Sequence, residues 1–75
     1  MKSLHIKINN ISDVATFVQN ASDVYGDVLI KKGKFVIDGK SLMGMFSLDL
    51  STGVTVEYPE DATNFEDYIN TFKAD

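Results

Sequence analysis

Two short stretches hold the residues best placed to do chemistry. Asn10-Ile11-Ser12-Asp13 stands where one helical period begins, and Lys40-Ser41 stands where another begins. An amide, a hydroxyl or a carboxylate at a helix start is first of all a capping group, because its oxygen can accept from N–H groups that the first turn leaves unpaired. Those same N–H groups and the positive end of the helix dipole also favour an anion at such a start, with Lys40 adjacent to Ser41. His5 is the single histidine. It falls mid-strand on the polar side of an alternating run, with no second ligand or carboxylate at a useful spacing, and reads as an exposed strand histidine.

Absences narrow the chemistry further. The chain has 75 residues, no cysteine and no arginine. There is no thiolate nucleophile, no cysteine or multi-histidine metal site and no bidentate guanidinium clamp. Neither a cofactor nor a metal is expected. The net charge is −4 and unevenly spread: residues 1–40 hold six Lys against four Asp, whereas residues 41–75 hold Lys73 against seven acids. With no basic stripe or tail, nucleic acid is not an expected partner. The acids after Glu57 read as a solvated face and as charge at a helix start. No apolar run approaches the roughly 20 residues that cross a bilayer, so no membrane role is expected. The N-terminus has one Lys and then alternates, unlike a signal peptide, and a cytoplasmic location is expected.

The elements that must position these residues are legible as periodicity. Leu4, Ile6 and Ile8 alternate with polar neighbours as a half-buried strand. From Ile11 to Tyr25 apolar residues recur at helical spacing. Asn10 is the expected N-cap, with Asp13 as capping-box partner, Ser12 as the rival cap and Gly26 as the C-cap. Val28–Lys31 and Lys34–Ile37 flank Lys32-Gly33 as a hairpin. Ser41 opens a short helix through about Leu48, with Leu42, Met45, Phe46 and Leu48 as its apolar side and Gly44 weakening it. Val54–Tyr58 alternates as a strand and Pro59 stops it. A final helix follows, with Thr63-x-x-Glu66 as capping box and Phe65, Tyr68, Ile69 and Phe72 inward. The order β-α-β-β-α-β-α predicts one α+β domain over 1-75, a four-stranded, mostly antiparallel sheet with helices on one face. His5, Lys7, Thr55 and Glu57 would lie on the wet face.

Three stretches resemble HPr, the histidine-containing phosphocarrier of the bacterial sugar phosphotransferase system. They are Val18-Gln19-Asn20-Ala21-Ser22, Asp38-Gly39-Lys40-Ser41-Leu42-Met43-Gly44 and Met45-Phe46-Ser47-Leu48. The element order agrees over roughly residues 2–72. The resemblance implies the two-layer open-faced β-sandwich with sheet order 1-4-2-3. It also implies that the family's phosphorylated histidine aligns with Asn10, its arginine with Ser12 and its proline with Asp13. Residues 11–24 hold two Asp and no Lys, whereas the family docks its acidic phosphodonor enzyme with basic residues on this helix. Ser41 matches the serine that a dedicated kinase phosphorylates in HPr and HPr-like regulators of Gram-positive bacteria. Leu42, Met43 and Phe46 match an exposed apolar patch that protein partners bind. On about two helical turns they cannot all point inward, and methionine and aromatic side chains suit adaptable recognition surfaces.

The expectation is therefore a non-catalytic, HPr-like binding or regulatory protein with a protein partner, switched by phosphorylation at Ser41. The competing readings are a carrier that uses another acceptor and a structural or oligomerising domain.

Overall fold

The computed structural model describes residues 1–74. Strands β1 (Lys2–Ile6), β2 (Leu29–Lys32), β3 (Phe35–Asp38) and β4 (Val54–Tyr58) alternate with helices α1 (Ile11–Ser22), α2 (Leu42–Phe46) and α3 (Thr63–Ile69). The sheet order is β1-β4-β2-β3 and every pairing is antiparallel. All three helices cover one face, which gives the open-faced β-sandwich expected.

Period-2 alternation decides which face each side chain takes. Ile6 of β1, Val54, Val56 and Tyr58 of β4 and Ile30 of β2 point under the helices and are buried. They meet Val14, Phe17 and Ala21 of α1 and Phe65 and Ile69 of α3. Phe17 and Phe65 meet edge-on at 5.5 Å between ring centres, and Phe65 and Tyr58 at 5.9 Å. On the open face His5 lies beside Thr55, and Lys31 pairs with Glu57 at 3.0 Å. Lys7 lies past the end of β1.

The hairpin turn is Gly33-Lys34, one residue later than the alternation suggested. Gly33 has φ +58° and Lys34 does not share the positive sign. That combination belongs to a type II′ turn, whose first central residue is characteristically glycine.

Other boundaries differ for local reasons. The first helix ends at Ser22 rather than Tyr25. The Ser22 hydroxyl donates to the Val18 carbonyl at 2.8 Å and the Asp23 N–H to the Asn20 carbonyl at 3.3 Å, which tightens and closes the last turn. Val24 still turns inward, but Tyr25 is 98% exposed. The second helix stops at Phe46, and only Met45 of its expected apolar side is buried. The third helix starts after Ala62, so Thr63 is not its cap. Its expected capping-box glutamate, Glu66, is engaged elsewhere: it accepts from the Tyr58 hydroxyl at 2.6 Å and pairs with Lys2 at 2.8 Å.

Candidate functional site

Asn10 has extended backbone angles and sits at the N-cap of α1. Its carbonyl accepts from the Asp13 N–H at 3.1 Å. The side chain does not cap. Its amide nitrogen instead donates to Asp13 Oδ2 at 3.4 Å. Ser12 lies inside the first turn and is not the cap; its carbonyl accepts from the Thr16 hydroxyl at 3.2 Å. Asn10 and Asp13 line an open cleft of about 540 Å³ with Lys7, Asn9 and Phe72. His5 is exposed on β1 and is not among the residues lining that cleft. Its ring lies over Gly53 instead, where a Cβ would come within 2.7 Å of Nε2. Asp13 is half-buried, and its charge reaches Tyr68. Burial, and then this carboxylate, push the Tyr68 phenol above its usual range. The Tyr68 hydroxyl is buried without a hydrogen-bond partner.

Ser41 is the N-cap of α2, and its Oγ accepts from the Gly44 N–H at 3.1 Å. Asp38 Oδ1 accepts from the Lys40 N–H at 2.9 Å and fixes the turn before it. The Lys40 ammonium keeps its charge but is held by a backbone acceptor. It reaches 2.8 Å from the Val24 carbonyl and ties this turn to the end of α1. Gly44 lets the short helix settle on β3: a Cβ there would meet Ile37 Cγ2 at 2.6 Å.

Because α2 buries only Met45, its other apolar residues face outward. Leu42 is 42%, Met43 86% and Phe46 50% exposed. Ile11, which the helical period assigns to the inner side, is 76% exposed at the start of α1. Together with Asn10, Ile11 borders a groove of about 320 Å³ whose other wall includes Phe46 and Leu48. The fold thus joins the start of α1 to the end of α2 in one surface. Ser41, at the opposite end of α2, does not line that groove. The position of Ile11 as the first helical residue, one turn before Val14, was the available sign that it need not be inward.

Among the described residues no cluster of His, Cys, Asp or Glu could hold a metal ion, and no helix is long and apolar enough to cross a membrane.

The comparisons with known proteins agree on one fold and one family. No curated protein sequence gives a significant match. The crystal structure of HPr-C-His from Thermoanaerobacter tengcongensis is similar at TM-score 0.76 and 29% identity, over 95% of this chain and 93% of that one. The phosphocarrier protein HPr from Bacillus anthracis str. Ames is similar at TM-score 0.69 and 26% identity, over 97% and 94%. The family described as PTS HPr component phosphorylation site matches residues 12–73. Topology and sequence thus converge, and the chain belongs to the HPr family of phosphocarrier proteins.

Proposed function

We propose that this HPr-family protein binds a protein partner and does not relay phosphoryl groups through the start of α1. The pairing of the Asn10 amide with Asp13 at 3.4 Å carries the reading. A carboxamide nitrogen is not a usable nucleophile at neutral pH, and the adjacent carboxylate repels an incoming phosphoryl group where the helix dipole would otherwise attract it. The apolar residues Leu42, Met43 and Phe46 supply the docking surface, and Ile11 extends it. Ser41 is the switch. A phosphoryl group on its Oγ puts charged acceptors beside the Gly44 N–H that the hydroxyl already engages.

The test is incubation with phosphoenolpyruvate and the general phosphotransferase enzyme, followed by mass spectrometry. No phosphoryl adduct is expected. An acid-labile, base-stable adduct would return the protein to the carriers.

A further inference from the structure

The sheet has two edges, and they are treated differently. At the β1 edge the C-terminal segment lies alongside: the Lys7 N–H donates to the Phe72 carbonyl at 3.0 Å, and the Ala74 N–H to the His5 carbonyl at 2.9 Å. On the β3 edge the Ser41 N–H donates to the Asp38 carbonyl at 3.0 Å, but among the described residues no other segment bonds to the backbone of Val36. Antiparallel pairs alternate between those whose N–H and C=O face each other and those whose groups face away. Across the two-residue turn Lys32 faces Phe35, so Ile30–Ile37 is the next inward-bonded pair. The Gly39 N–H donating to the Val28 carbonyl at 2.7 Å continues that series. The N–H and C=O of Val36, between them, therefore point out of the sheet. Phe35 is 65% and Val36 57% exposed, large apolar side chains on an open strand.

Lys34 lies in the turn just before β3, and a lysine beside an edge strand ordinarily deters pairing. Here Lys34 and Asp38 stand two residues either side of Val36. A parallel, in-register neighbour would set Lys34 against Lys34. An antiparallel neighbour centred on Val36 sets Lys34 against Asp38 twice, Phe35 against Ile37 twice and Val36 against itself. In that antiparallel register the opposite charges, the apolar side chains and the outward Val36 groups all meet. We propose that β3 pairs with the β3 of a second copy of this chain in that register, making one continuous sheet from two.

Sedimentation equilibrium from micromolar to millimolar concentration tests this independently of phosphotransfer. The expected result is a reversible monomer–dimer equilibrium. Lys34→Asp and Asp38→Lys place like charges across the junction, and each should weaken dimerisation by roughly tenfold. An equimolar mixture of the two variants should recover it, because the reversed charges then face each other. Val36→Pro removes an N–H that faces away from β2 and so spares the internal ladder; it should abolish the dimer. Melting curves identify any variant that fails to fold, and the mixture of charge variants remains decisive if Val36→Pro does so. A monomer at every concentration overturns the proposal. So does a dimer indifferent to these changes, or a pair of charge variants that do not complement each other.

Discussion

Asn10 separates what spacing can reveal from what it cannot. Its place at the start of α1 follows from the period that begins at Ile11. What its amide does follows from Asp13, and a side-chain rotamer is not written in a period. Because the side chain caps no backbone N–H, Asn10→Ala should cost only a few tenths of a kcal/mol, the worth of an exposed polar pair on a helix. A working cap would cost about 1 kcal/mol. Urea denaturation separates the two values. Asn10→His should leave phosphotransfer absent while Asp13 remains beside it; efficient phosphorylation of that single variant would show that the surroundings matter less than the residue type at position 10. Tyr68 carries a second lesson at this scale. Its period marked it as inward, correctly, but no pattern shows that its hydroxyl ends without a partner. A buried unpaired hydroxyl has lost hydration and gained nothing in return. Tyr68→Phe should therefore stabilise the protein, by about 1 kcal/mol, and a lower melting temperature would mean that the hydroxyl is satisfied after all.

At the scale of elements, the strands and helices were legible because alternation and helical spacing change abruptly at Asn9-Asn10, Gly26, Gly33 and Pro59. Strand order was legible only through the likeness of Lys40-Ser41-Leu42-Met43-Gly44 and its neighbours to a known family. Element ends were the weak point. Thr63-x-x-Glu66 has the form of a capping box, yet Glu66 faces the sheet, where Lys2 and Tyr58 offer an ion pair and a short hydrogen bond. This contact joins β1, β4 and α3, and it titrates. The hydrogen bond from Lys2, then that from Tyr58, hold the Glu66 carboxyl below its usual range. Burial first, and then the hydrogen bond to Glu66, push the Tyr58 phenol up to about 12 from 10.0. The lowered acid stabilises the fold above its unfolded value of 4.5, and that contribution fades as pH falls through the folded value. The raised phenol stabilises it below pH 10.0, and that contribution is lost as pH rises to about 12. Stability should thus form a plateau that falls at both ends. Tyr58→Phe should remove the alkaline fall attributable to this phenol and shrink the acid one without abolishing it, because the stronger bond from Lys2 to Glu66 remains, as thermal melts across pH would show. An alkaline limb unchanged in that variant would mean that another group causes it.

Across the whole molecule, the outward apolar residues and Ser41, the proposed phosphorylation site, belong to one short helix and its cap. α2 is held from three sides: Ser41 caps it, Met45 is buried beneath it and Gly44 sits against Ile37. None of these holds depends on the Ser41 hydroxyl proton, because Oγ acts as an acceptor toward the Gly44 N–H at 3.1 Å. Phosphate oxygens can take over that role, and negative charge at a helix start is favourable by about 0.3–1 kcal/mol. Phosphorylation should therefore leave the melting temperature unchanged or slightly higher. Ser41→Ala, which removes the acceptor, should cost about 1 kcal/mol. Function should move the other way. Lys40 stays charged while it bonds the Val24 carbonyl, but its single charge offsets only part of a dianion, so phosphorylation leaves net negative charge beside Leu42, Met43 and Phe46. It should weaken binding to a partner whose contact surface is purely apolar and strengthen binding to one that offers arginine. Treatment with an HPr kinase and ATP, followed by calorimetric melts and partner titrations against Ser41→Ala, measures both effects. Phosphorylation that unfolds the domain would mean that the hydroxyl has no room for a phosphate and that the start of α2 is more enclosed than this geometry allows. A phosphorylated protein that binds partners as the unmodified one does would leave Ser41 as a cap and nothing more.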